Sequence, residues 1–135
     1  MRLWHKDLIY VLPRQQLLGQ WRECCLIAKN IAEKGTPNHL LVNRVLDYPL
    51  DHFYTYAQRV RDECEVRGYK CNFERFKTCS FWKRIIPQSD LFCEWHNERY
   101  LTQCFFNLQE KYDCGGITED EYSRILVGFA RSVGK

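Results

Sequence analysis

No apolar run in this 135-residue chain approaches the roughly 18–20 residues needed to span a bilayer. The start lacks a signal-peptide pattern. Arg2, His5, Lys6 and Asp7 interrupt the only early apolar stretch, and no small-residue cleavage site follows. A cytoplasmic location with no membrane partner is therefore expected. The sequence also has no internal repeat, no low-complexity tract, no long linker and no segment that reads as a β-sheet. C-x-x-C pairs are missing too, although there are eight cysteines. A reducing compartment predicts thiols packed as small hydrophobes. The competing reading is a zinc site built on Cys93-x-x-His96 with Cys104 and Cys114. It has at most one tight ligand pair where structural sites usually have two, so the thiol reading is preferred.

What is present suits a single folded unit. A 45% hydrophobic and 15% aromatic composition can bury a core, and 135 residues fit one domain spanning 1–135. The net charge of +3 is uneven: residues 1–84 carry +6 and the remainder −3. A polyanion would dock on the first part.

Local signals predict an all-α, compact helical bundle with an irregular N-terminal segment packed against its first long helix. Residues 1–12 read as extended or irregular. Pro13 suits a first helical turn, and Leu17, Trp21, Cys24, Ala28 and Ile31 keep helical spacing until Gly35 stops it. A short helix is expected from Asn38 to about Asp47, with another over residues 51–67 ended by Gly68. A basic, aromatic one follows over 72–85, and a long one over 90–113 ends at Gly115-Gly116. Thr118 and Glu121 predict a capping box for a last helix to about Arg131.

The first helix has a second, odd face. Gln15, Gln16, Gly19, Arg22, Glu23 and Leu26 share one arc opposite the apolar stripe. A solvated face is usually filled with Lys, Glu and Ala. Here a glycine sits mid-helix, at a cost of about 1 kcal/mol against alanine. Something packing closely on Gly19, most simply the chain's own N-terminal segment, accounts for that face. So does an ordinary surface that tolerates one glycine and one exposed leucine.

The stretch Leu8 through Glu23 (LIYVLPRQQLLGQWRE) resembles the first helix of the pyrimidine-dimer DNA glycosylases of the phage endonuclease V type. Leu8, Leu12, Gln15, Leu17, Leu18, Trp21, Arg22 and Glu23 match the pattern. Glu63-Cys64 followed by Arg67-Gly68-Tyr69 is similar to the end of that family's next long helix. Met1-Arg2-Leu3-Trp4 resembles the start of bacterial proteins grouped with it. The likeness is strongest over residues 1–70. It implies a DNA repair glycosylase with AP-lyase activity, acting on double-stranded DNA with pyrimidine dimers or abasic sites.

By that resemblance the catalytic groups are the N-terminal α-amine and Glu23. Arg2 follows Met1, and a bulky second residue normally blocks methionine removal, which assigns the amine to Met1. An α-amine has an ordinary pKa near about 7.7–8.0, against about 10.4 for lysine, so more of it is neutral and nucleophilic. No metal and no small-molecule cofactor is implied. Arg2 and Arg22 match the family's arginines and are the implied phosphate contacts, and Gln15 and Gln16, on the same helix arc, are expected to contact the opened strand. Gln16 stands where the phage pattern has histidine, and the phage protein's C-terminal aromatic-lysine tail has no counterpart in Ser132–Lys135. By analogy with base-site enzymes of this size, a monomer is expected.

Two other readings compete. One is a non-catalytic nucleic-acid-binding module of the same fold. Its support is the stretch 70–84, where Phe73, Phe76, Phe81 and Trp82 lie among five cations and one acid, a composition suited to base stacking. The other is a protein-interaction or cysteine/zinc-dependent regulator.

Overall fold

The computed structural model describes residues 1–79, 81, 82 and 84–134, with Arg75 described in its backbone alone. Its five α-helices are α1 (Arg14–Lys34), α2 (Leu50–Val66), α3 (Phe73–Lys77), α4 (Glu98–Asp113) and α5 (Glu119–Val133). Two 3-10 helices, Lys6–Val11 and Asn43–Asp47, complete the regular structure, and no strand occurs among the described residues. The fold is all-α, and no helix among the described residues is long and apolar enough to cross a membrane.

Helices α1 and α2 pack against each other, and Leu17, Cys24 and Ile27 of the first and Tyr56, Val60 and Cys64 of the second are all buried in the core. Helix α5 closes over the N-terminal 3-10 helix. A Cβ added at Gly128 would stand 2.8 Å from the methyls of Val11, so only glycine permits that approach. Ser132 donates to the Asp7 carboxylate at 2.6 Å and pins the far end.

Several local expectations hold. α1 ends at Gly35, which is left-handed (φ 73°) and donates its N–H to the Ile31 carbonyl. Thr118 and Glu121 form both halves of the capping box. Four expectations do not. Residues 1–12, read as extended or irregular, form a 3-10 helix over Lys6–Val11, with the His5 side chain accepting the Asp7 N–H at its start. The helix placed over 90–113 begins only at Glu98, capped by the Asn97 side chain, which accepts the Tyr100 N–H at 2.9 Å. Tertiary partners take the preceding donors: Phe92 N–H goes to His52 Nδ1 at 3.2 Å and Trp95 N–H to the Tyr48 hydroxyl at 3.1 Å. Phe92 itself is left-handed, with φ 50°. The helix placed from Asn38 is a 3-10 helix starting at Asn43, because Asn38 is left-handed (φ 58°) and its N–H bonds Thr36 Oγ1. The one placed over 72–85 is a single turn, Phe73–Lys77. Of its cations, Lys83 and the Arg75 side chain lie outside the described residues. Its aromatics turn inward: Phe76 is buried against Trp21, Phe53, Tyr54 and Trp82, and Phe73, Phe81 and Trp82 are half-buried beside it. These rings are occupied by one another rather than standing free for bases.

The buried pair His5 and His96, stacked at 5.2 Å, ties the N-terminal segment to the turn before α4. His5 Nδ1 accepts the Asp7 N–H at 3.1 Å, so Nε2 carries the proton and donates to the His96 carbonyl at 2.9 Å. His96 Nδ1 accepts the Lys6 N–H at 2.9 Å, which leaves no room for a second proton there either. Burial lowers His5 and lowers His96 well below the ordinary range. As pH falls through about 6.5, the unfolded chain therefore takes up protons that the folded chain refuses, and stability is lost. His96 alone contributes a slope of up to about 1.4 kcal/mol per pH unit. Thermal melts should show Tm dropping between pH 7 and 5, ahead of carboxylate titration. A flat Tm over that window would contradict the buried neutral pair.

Candidate active site at the N-terminus

The first five residues run extended with no neighbouring strand, so their buried backbone groups need other partners. Side chains supply them. Gln20 of α1, only 1% exposed, accepts the Trp4 N–H at Oε1 (2.7 Å) and donates from Nε2 to the Arg2 carbonyl (2.9 Å). Its amide thus engages the segment as a paired strand would. The Tyr56 hydroxyl donates to the Trp4 carbonyl at 2.6 Å and lies 2.9 Å from Gln20 Oε1, so its proton is shared. The Tyr100 hydroxyl donates to the Leu3 carbonyl at 2.5 Å. Burial raises both phenols far above their ordinary range, which keeps them protonated donors. Downstream, Arg67 pairs with Glu63 at 2.9 Å and clamps the carbonyls of Leu12 (2.7 Å) and Tyr10 (3.0 Å). The second patch of family resemblance thereby finds its use: it fastens the N-terminal segment.

Glu23 completes the arrangement. Its Oε2 accepts the Arg2 N–H at 3.3 Å and the Gln20 Nε2 at 3.3 Å. The nitrogens of adjacent residues are separated by at most about 3.7 Å of covalent geometry. The Met1 α-amine therefore stands within about 7 Å of the Glu23 carboxylate. Both groups are half-buried.

The Arg2 side chain lies over the Trp4 ring at 5.2 Å, with Nη1 4.0 Å from Cys104 Sγ. It opens on a cleft of about 400 Å³ between the loop before the second 3-10 helix and α4. Arg44 and Arg99 line the same cleft, Trp95 and Tyr100 form its aromatic wall, and no carboxylate lines it among the described residues. Arg44 stacks over Trp95 at 5.7 Å. Three guanidiniums with no carboxylate in the lining make the cleft electropositive, and Arg2 joins it to Glu23 through its backbone N–H.

The structure brings together Met1, Arg2 and Glu23 but not the other residues expected at the site. Gln15 is exposed, and eight helical residues place it about 12 Å along the axis from Glu23. Gln16 is half-buried, its Oε1 without a hydrogen-bond partner among the described residues. Arg22 is exposed and lines a different cleft of about 610 Å³ with Cys25, Leu26 and Lys29. Nothing packs on Gly19, because a Cβ there would meet only Arg22 Nη2, at 3.8 Å. The N-terminal segment docks instead one residue round the helix, on Gln20. That glutamine is the residue sequence reasoning missed, and its signal was an amide placed between Leu17, Trp21 and Cys24 in an apolar stripe. Arg44, Arg99, Tyr56 and Tyr100 carried no local signal. The Cys93-x-x-His96 pair is split, with Cys93 exposed and His96 buried and engaged by Lys6. Among the described residues no group of three or more potential metal ligands gathers.

A family model described as pyrimidine dimer DNA glycosylase matches residues 1–77. No curated protein and no solved structure matches. The matched segment contains α1, α2, α3 and the whole N-terminal arrangement on Gln20 and Glu23, while α4 and α5 lie beyond it. Since that segment is more than half of the 135 residues, the chain belongs to the pyrimidine dimer DNA glycosylase family.

Proposed function

We propose that this protein is a DNA glycosylase with AP-lyase activity, acting as a monomer on double-stranded DNA that carries pyrimidine dimers or abasic sites. The α-amine of Met1 is the nucleophile and Glu23 the acid–base group. The observation that supports this most is the hydrogen bond from the Arg2 N–H to Glu23, since it holds the amine beside a carboxylate. The neutral amine attacks C1′, the glycosidic bond breaks, and the base leaves with a proton. The sugar ring opens to an imine on the Met1 nitrogen. Glu23 stabilises the positive charge that builds on the sugar, as in other glycosyl transfers. It then takes a 2′ proton, the 3′ phosphate leaves by β-elimination, and water releases the amine.

Arg2 meets a phosphate of the reacting strand in the arginine-lined cleft. Arg22 and Gln15, both exposed, contact the flanking duplex, with Gln16 behind them. A non-catalytic DNA-binding role has one observation in its favour: Glu23 makes two hydrogen bonds that a structural carboxylate would also make.

Borohydride separates the two readings. Reduction of the imine during incubation with an abasic duplex should give a one-to-one covalent protein–DNA adduct. Salt-dependent binding with no adduct would mean the module binds without chemistry.

A further inference from the structure

The loop that forms one lip of the arginine cleft presents two leucines to solvent. Leu40 is 85% exposed and Leu41 54%, while the neighbouring Val42 is fully buried and anchors the turn. The loop is braced from within. His39 N–H bonds Asn43 Oδ1 at 3.1 Å, Leu41 N–H bonds His39 Nδ1 at 3.3 Å, and the N–H groups of Val42 and Asn43 share the His39 carbonyl at 3.0 and 2.9 Å. Asn38 enters it in the left-handed conformation, fixed through its N–H to Thr36 Oγ1 at 3.1 Å. Single exposed leucines are ordinary, but a turn held by this many bonds has no need to put two of them at its tip.

What stands beside them names the occupant. Arg2, Arg44 and Arg99 line the same cleft, uncompensated by any carboxylate in its lining among the described residues. An apolar protein partner or a neutral lipid face would leave three guanidiniums without a counter-charge. Duplex DNA satisfies both halves: phosphates for the arginines and a base step for the leucines, since architectural proteins kink DNA by inserting apolar side chains between bases. Continuity with the reacting groups is direct, because the Arg2 that lines the cleft is the residue whose N–H is bonded to Glu23.

We propose that Leu40 and Leu41 form a wedge that enters the base stack of duplex DNA next to the lesion, while Arg2, Arg44 and Arg99 hold the phosphates on either side of the kink. The wedge unstacks the damaged step. This rests on the DNA reading above only in taking duplex DNA as the ligand, and needs none of its chemistry.

The test uses the full-length protein and a duplex containing an unreactive tetrahydrofuran abasic analogue, with 2-aminopurine at the adjacent position as a reporter of stacking. The protein should raise the 2-aminopurine fluorescence on binding. Leu40→Ala with Leu41→Ala, both exposed and so without cost to the fold, should weaken binding about 10- to 100-fold and abolish most of the rise at saturation. Arg44→Gln should weaken binding and make the salt dependence shallower by about one unit of slope, with the rise retained at saturation. Wild-type affinity and fluorescence in the double leucine variant would overturn the wedge, and so would wild-type binding with no rise. Imine trapping on a reactive abasic duplex is read separately. Its failure would sink the catalytic reading and leave this result standing.

Discussion

Glu23→Gln is expected to lower strand cleavage at an abasic site by about 10²- to 10⁴-fold, the usual contribution of a positioned general base. The substitution is informative because of what it preserves. Glutamine has the same shape, and its carbonyl oxygen still accepts the Arg2 N–H that Glu23 Oε2 accepts at 3.3 Å. The N-terminal segment therefore stays docked, and only the charge and the basicity are lost. Affinity for DNA should be unchanged or higher, since a negative charge has left the neighbourhood of the phosphates. Borohydride trapping should fall less than cleavage does, because imine formation relies on the amine and β-elimination on the carboxylate. Cleavage kinetics on a 3′-labelled abasic duplex, together with a binding isotherm, give both numbers. Normal cleavage by the variant would reduce Glu23 to a structural acceptor.

Gln20→Ala is expected to damage fold and activity together. Its removal strands the buried Trp4 N–H and the Arg2 carbonyl, and takes one acceptor from the Tyr56 hydroxyl. A buried polar group left without its partner costs about 1–3 kcal/mol, so a total of about 2–6 kcal/mol is anticipated from the two backbone groups. Denaturant unfolding measures that directly. The amine then loses the fixed geometry that sets it beside Glu23, and a displacement of about 1 Å in a reacting group can cost about 100-fold in rate. Trapping measured well below the midpoint of unfolding should fall by at least that factor. A core-truncated variant away from the N-terminal segment, such as Ile31→Ala about 16 Å along α1 from Gln20, provides the comparison. If that variant loses as much trapping as Gln20→Ala, the loss reflects stability and the Gln20 amide has no positioning role.

Features decided within a few residues were legible in the sequence. Pro13 before α1, Gly35 after it and the Thr118–Glu121 box are local contests that chain neighbours settle. Residues 90–97 carry apolar side chains at helical spacing, yet Tyr48 and His52, some forty residues earlier, claim their amide donors. No window over 90–113 contains that information. The site divides the same way. Glu23 was visible through its motif and its helix face, but the close approach that Gly19 suggested takes place at Gln20 instead. The arginine cleft joins residues 2, 44 and 99, from three separate parts of the chain, and exists only once α4 is in place. One of its arginines, Arg99, falls beyond the segment that matches the family.

The central claim is that the first residue's own nitrogen does the chemistry, held for it by Gln20 and Glu23. Peptide mapping of the borohydride-reduced adduct, made with untagged protein whose N-terminus has been verified by mass spectrometry, tests this most directly. The account predicts the sugar remnant on the α-nitrogen of Met1. Attachment to a lysine side chain such as Lys6 or Lys29, or no adduct at all with a free N-terminus, would contradict it.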